Sequence, residues 1–187
     1  TFNIIGWDSS YDGQPIPEEE MHEWVNKTVE RIQELHPEKV LEIGCGTGLL
    51  LTRVAPDCSE YVGLDFSRPA LDHIREIQQT IGGLDHVTLC ERSADDLAGL
   101  ESESFDTVII NSVLQYFPST AYLLQVLEGL IKRVKKGGHI LVGDIRNLDY
   151  LEKKFMLYKP DVIYHAAAYK HVPLMEENPA QAIYTNV

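Results

Sequence analysis

Two kinds of stretch alternate along this chain. Short, nearly continuous apolar runs at 40–43, 61–65, 87–91, 107–111, 139–144 and 162–165 read as strands buried on both faces. Longer stretches mixing apolar and polar positions, at 18–35, 49–54, 68–81, 121–134, 148–158 and 179–186, read as helices. This alternation predicts an α/β fold: a doubly wound, mostly parallel sheet of about six strands with helices on both faces. Gly82-Gly83 and Gly137-Gly138 mark expected turns where a helix hands over to a strand. Pro17 followed by Glu18, Glu19 and Glu20 makes a good helix start, since proline presets φ and the acids sit at the positive end of the dipole. Residues 1–17 are rich in Gly, Pro and aromatics and read as an N-terminal arm.

Composition narrows the function classes. The chain has 187 residues and a formal charge of −13, from 29 acids against 16 bases, which argues against a broad nucleic-acid interface. The basic run Lys132, Arg133, Lys135, Lys136 falls at a helix end, where cations complement the dipole. Cys45, Cys58 and Cys90 lack CxxC spacing and suit free thiols, not a disulfide framework or a zinc site. His22, His36, His73, His86 and His139 show no ligand spacing, so no metal is expected. The apolar stretch 105–114 is far short of the roughly 20 residues of a membrane span. No basic-then-apolar leader is visible, so a soluble, cytoplasmic protein without membrane contact is expected. Oligomeric state is not readable from the sequence.

The strongest chemical signal is VLEIGCGTG at 40–48, a strand end leading into a helix. Glycines at 44, 46 and 48 allow a tight turn and close approach of backbone to a ligand. A dinucleotide loop reads GxGxxG and meets a pyrophosphate. This loop reads GxGxG behind the acid Glu42, which suits a ligand with a cationic end and no phosphate. Asp65 ends the next strand, where a carboxylate can accept both hydroxyl protons of an adenosine ribose. Ser93, Ala94, Asp95 and Asp96 follow the third strand and suit an adenine amino group, and Asn111 ends the fourth. All lie at carboxyl ends of strands, where open α/β sheets bind ligands.

EIGCGTG, LDFS, ADDL and SFDTVIINSVLQYF resemble the class I S-adenosylmethionine-dependent methyltransferases over about residues 18–145. GWDSSYDGQPIPEEEMHEW, NSVLQYFPS and GGHILVGDIRNL are similar to the N-methyltransferase domains of nonribosomal peptide synthetases. The resemblance implies a Rossmann-like fold and S-adenosyl-L-methionine as cofactor. It also implies methylation of the α-amine of an aminoacyl thioester, whether carried by a carrier protein or free as a small molecule. The expected cofactor-binding set is Glu42, Gly44, Cys45, Gly46, Thr47, Gly48, Asp65, Phe66, Ala94, Asp95 and Asn111. An amine of pKa about 7.7–8 is partly neutral near pH 7, so positioning and water exclusion can supply much of the rate without a strong base. Asn111, Gln115 and Tyr116 are the candidate catalytic positioning groups, with Trp7 and Tyr11 as substrate or lid residues.

The tail from residue 148 resembles another family. KPDVIYHAAAYKHVPLMEENP at 159–179 is similar to the nucleotide-sugar 4,6-dehydratases among the extended short-chain dehydrogenase/reductases. In that family Ala166, Ala167 and Ala168 would line a nicotinamide cofactor, Lys170 and His171 would lie near the sugar, and Asn186 would sit near the catalytic residues. The sequence lacks a GxxGxxG loop and a Tyr-x-x-x-Lys pair in the expected place. The expected organisation is one domain over 1–187: the arm, a cofactor-binding core over 18–147, and a helix-strand-helix tail over 148–187 completing the sheet. The alternatives are a chimeric or truncated scaffold without catalysis and a dehydratase fragment. An antiparallel last strand would indicate methyltransferase topology, and a parallel one a tail of dehydratase type.

Overall fold

A computed structural model describes residues 17–142 and the backbone of 162–165. Six strands, β1 (Lys39–Ile43), β2 (Glu60–Asp65), β3 (Val87–Glu91), β4 (Phe105–Ile110), β5 (Val134–Val142) and β6 (Val162–His165), form one sheet in the order β3-β2-β1-β4-β5-β6. Every neighbouring pair is parallel. Four α-helices accompany it among the described residues: α1 (Glu18–Gln33), α2 (Leu51–Val54), α3 (Arg68–Ile81) and α4 (Thr120–Ile131).

The apolar runs are continuous because both sheet faces are covered, and strand alternation divides their side chains between two cores. Val40, Ile109 and Leu141 join Val25 and Ile32 of α1, Leu51 of α2, and Leu71 and Ile74 of α3 in one cluster. Leu41, Ile43, Val108, Ile110, Ile140 and Val142 join Val126, Leu127 and Leu130 of α4 in the other. Asp106 organises the amino end of the sheet. Its carboxylate accepts from the amides of Glu38 at 3.1 Å and Lys39 at 2.8 Å and from the Thr107 hydroxyl at 3.0 Å, with Lys135 at 3.7 Å.

Several element ends differ from the sequence reading. The helix expected over 49–54 begins at Leu51, because Gly48 at φ +83° lies outside helical space. The helix expected over 121–134 runs Thr120–Ile131. The carbonyl of Arg133 accepts from the amides of Ser104 and Phe105, which turns the chain into β5. Gly137-Gly138 is not a turn between elements but a bulge inside β5, where pairing with β4 steps from Phe105↔Val134 to Thr107↔His139. Gly137 takes φ +76°, and a Cβ on Gly138 would stand 2.7 Å from the Asp106 carbonyl oxygen. Of the basic run, Lys132 at the C-cap of α4 and Arg133, donating to the Gly129 carbonyl at 3.4 Å, sit at the helix end as expected, whereas Lys135 and Lys136 lie in β5.

The last described strand is parallel, with His139↔Val162 through Val142↔His165 in register. It is the outcome expected of the dehydratase-like tail. The order 3-2-1-4-5-6 is that of dinucleotide-binding doubly wound sheets. The N-terminal arm and the helices expected at 148–158 and 179–186 lie outside the described residues. No helix among the described residues is long and apolar enough to cross a membrane.

Candidate functional site

Strand order reverses between β1 and β4, and the carboxyl ends of β2, β1 and β4 meet there. The glycine loop leaves β1 and is fastened to β2, with Gly44 and Cys45 donating to the Leu64 carbonyl at 2.7 and 3.1 Å. Gly44 is required on two grounds. Its φ is +72°, and a Cβ there would lie 2.3 Å from Cγ2 of Val113 in the loop after β4. Gly48, at φ +83°, approaches Ile74 of α3 closely enough that a Cβ would stand 3.0 Å from it. Gly46, at φ +51°, has nothing within 4 Å of an added Cβ, so the loop's crest borders open space. Thr47 is half-buried and Cys45 buried.

Asp65 faces this crest. One carboxylate oxygen accepts from the Gly46 amide at 2.8 Å and the other from the Ser67 amide at 2.8 Å, so the acid fixes both the loop and the start of α3. Ser67 caps that helix by accepting from the Ala70 amide at 3.4 Å. Phe66, between them, is 79% exposed.

Glu42 is 3% exposed, below the loop, and accepts from the hydroxyl of Tyr61 at 2.8 Å. Burial pushes its carboxyl up to about 7; the Tyr61 hydrogen bond opposes this, and the Asp65 charge adds to it. Burial also raises the Tyr61 hydroxyl and the Cys45 thiol well above their ordinary values. Tyr61 is a partner that spacing does not reveal. It stands opposite Val40, two residues before Glu42 on the same face of β1, and only strand register brings the pair together.

After β3, Ser93 to Leu97 form a turn closed by Asp96 N–H to the Ser93 carbonyl at 3.1 Å. Asp95 accepts from the hydroxyl of Tyr122 at 2.6 Å, which, with the Ser93 hydroxyl, holds its carboxyl below the ordinary aspartate range. Ala94 is half-buried and packs on the α4-side core. After β4, Asn111 is half-buried, its amide 3.4 Å from the Ser112 hydroxyl, and Ser112 takes φ +55°, uncommon for serine. A 3-10 turn, Leu114–Tyr116, follows. Tyr116 is 76% exposed, whereas Phe117 turns inward and meets the Tyr122 ring edge-on at 5.0 Å. The side chain of Gln115 lies outside what is described, as do Trp7 and Tyr11. Glu42, the glycine loop, Asp65, Phe66, Ala94, Asp95, Asn111 and Tyr116 therefore gather at one end of the sheet, and no group of His, Cys, Asp and Glu suited to a metal occurs among the described residues.

The sequence and fold have known relatives. A family profile described as "Methyltransferase domain" matches residues 41–140, and one described as "Polysaccharide biosynthesis protein" matches residues 107–187. Chondramide synthase cmdD of Chondromyces crocatus is 48% identical over 152 residues, 81% of this chain and 4% of its own length. A probable non-canonical nonribosomal peptide synthetase, CymA, of Salinispora arenicola is 40% identical over 167 residues, 89% of this chain and 2% of its own. The chain thus spans only a small part of these curated relatives. The N-methyltransferase NodS of Bradyrhizobium japonicum WM9 aligns over 83% of this chain and 82% of its own, with TM-score 0.57 and 18% identity. The same enzyme in complex with S-adenosyl-l-homocysteine aligns over 63% and 60%, with TM-score 0.55 and 19% identity. These two structures share the fold.

Proposed function

The chain belongs to the methyltransferase domain family, and from that premise we propose that it transfers the methyl group of S-adenosyl-L-methionine to the α-amine of an aminoacyl thioester in nonribosomal peptide synthesis. The observation that carries this reading is the meeting of three strand ends: the open crest at Gly46, the Asp65 carboxylate bonded to it, and the loop after β4, with Ser112 at φ +55° and Val113 against Gly44.

The residues present fit such a cofactor. Open space over Gly46 admits a ligand against backbone, and Asp65 has lone pairs left for two ribose hydroxyls after bonding two amides. Exposed Phe66 offers an apolar ring beside it, and Ala94 and Asp95 border the expected adenine side. Glu42, with Tyr61 beneath it, supplies an acid behind the loop for a cationic end. When bound, the cofactor supplies an electrophilic methyl group on a sulfonium. The chain's own task is to hold a neutral amine in line and exclude water. Asn111 and Tyr116 stand at the acceptor side, with Gln115 in the same turn, where they can accept from the amine and orient its lone pair. The large multidomain relatives support a carrier-borne substrate delivered by a neighbouring domain.

Isothermal titration with S-adenosylhomocysteine tests the cofactor, and the absence of binding would overturn it. Methylation of an aminoacyl-pantetheine surrogate tests the acceptor. A second reading, a scaffold joined from two families that binds cofactor without catalysis, is favoured by the parallel β6 and by the match over residues 107–187. Cofactor binding with no methyl transfer to any aminoacyl surrogate would select it.

A further inference from the structure

We propose that Tyr122 is a positioning residue that braces the turn after β3 against the turn after β4, so that the two walls of the site are ordered as one. Its backbone amide donates to the Ser119 hydroxyl at 3.2 Å, which fixes the residue in the first turn of α4. Its hydroxyl donates to Asp95 at 2.6 Å, reaching the turn that carries Ser93 and Ala94. Its ring meets Phe117 edge-on, centroids 5.0 Å apart at 78°, and the Phe117 amide closes the Leu114–Tyr116 turn by donating to the Leu114 carbonyl at 3.1 Å. One side chain thereby touches both loops.

Only one end of the β3 turn depends on it. The turn lies along a single face of α4, with contacts spaced three to four residues apart. Gln125 stands 3.5 Å from the second Asp95 oxygen. Gly129 lets Leu97 approach so closely that a Cβ would lie 2.7 Å from the leucine. Arg133 donates to the Leu97 carbonyl at 3.2 Å. Leu97 is thus anchored independently in the core, while Asp95, at the end nearer the site, is tied to α4 by Tyr122 and, more distantly, by Gln125. Removing the hydroxyl loosens the site end of the turn and leaves its other end in place.

The effect on ligand rests on the S-adenosylmethionine reading, whereas the bracing itself is measurable without ligand. In Tyr122→Phe, which keeps the ring on Phe117, amide hydrogen exchange in the ligand-free protein should quicken at Asp96 and Leu97, whose amides donate to the Ser93 and Asp95 carbonyls, and stay near wild type at Leu100, whose amide donates to the Leu97 carbonyl. In Tyr122→Leu, which also removes the ring, exchange should quicken at 114–117 as well. Loss of one hydrogen bond to a partly exposed carboxylate should weaken S-adenosylhomocysteine about three- to tenfold in Tyr122→Phe. Asp95→Ala combined with Tyr122→Phe should bind no more weakly than Asp95→Ala alone, since both remove the same contact. Unchanged exchange at Asp96 and Leu97, or additive losses in the double variant, would overturn the brace. If the wild-type protein binds no S-adenosylhomocysteine, the cofactor reading falls and the exchange data still decide on Tyr122.

Discussion

Glu42 and Asp65 are two carboxylates at one loop with different partners, the Tyr61 hydroxyl for one and two backbone amides for the other. Folding raises the Glu42 pKa to about 7, so between the ordinary glutamate range and that value the native state holds a proton the unfolded chain has lost. Its contribution is therefore most favourable at low pH and declines as pH rises through this window. Glu42→Gln keeps an acceptor for Tyr61 and removes the titration. Its stability relative to wild type should grow from pH 5 to pH 8 by on the order of 3 kcal/mol, read from urea unfolding at both values; parallel pH profiles would refute the assignment. Asp65→Ala removes the acceptor of the Gly46 and Ser67 amides as well as the expected ribose contact. Titration calorimetry should find S-adenosylhomocysteine bound about ten- to a hundredfold more weakly, in line with losing charge-assisted hydrogen bonds; unchanged affinity would remove Asp65 from the site. The glycine loop was legible from its own spacing, and Asp65 from its place at the end of an apolar strand. Tyr61 and Tyr122 were not, because nothing in a buried strand or a first helical turn marks a tyrosine as the partner of a particular acid, and strand register and helix placement make the pairs.

At the level of elements, strands read well because burial on both faces leaves unbroken apolar runs, and α3 reads correctly at both ends because Ser67 caps it and Gly82 follows it at φ +69°. The misread ends around β5 share one cause: tertiary pairing overrode a local signal. Gly137-Gly138 has the composition of a turn, yet β4 pairs on either side of it and draws it into β5 as a bulge. Asp106, next to that bulge, makes the element-scale prediction. Asp106→Ala leaves the amides of Glu38 and Lys39 without their carboxylate in a partly buried place. It should cost about 2–4 kcal/mol, the loss of hydrogen bonds to a charged acceptor. Affinity for S-adenosylhomocysteine should persist in the folded fraction, because Asp106 lies at the opposite end of the strands from the glycine loop. A folded variant that loses affinity would show coupling between the two ends.

For the whole molecule, the sheet unites two resemblances. Residues 41–140 match the methyltransferase domain profile, and β6, inside the stretch matched by the polysaccharide biosynthesis profile, continues the sheet in parallel. Its length and place were legible from the apolar run VIYH, but its direction was not, since a short strand reads alike either way until its crossover is known. A chain ended at residue 147 would lack β6 and expose the edge of β5, whose Ile140, Leu141 and Val142 are fully or almost fully buried. Such a chain should melt at lower temperature and self-associate, as unprotected apolar edges do, which light scattering during thermal denaturation measures. The candidate site is assembled from the ends of β1 to β4, two strands away from β6 at its nearest. A fold arranged in this way has an exchangeable flank: a segment can be traded at that margin, provided it supplies a matching hydrogen-bond ladder, without moving the strand ends near the centre.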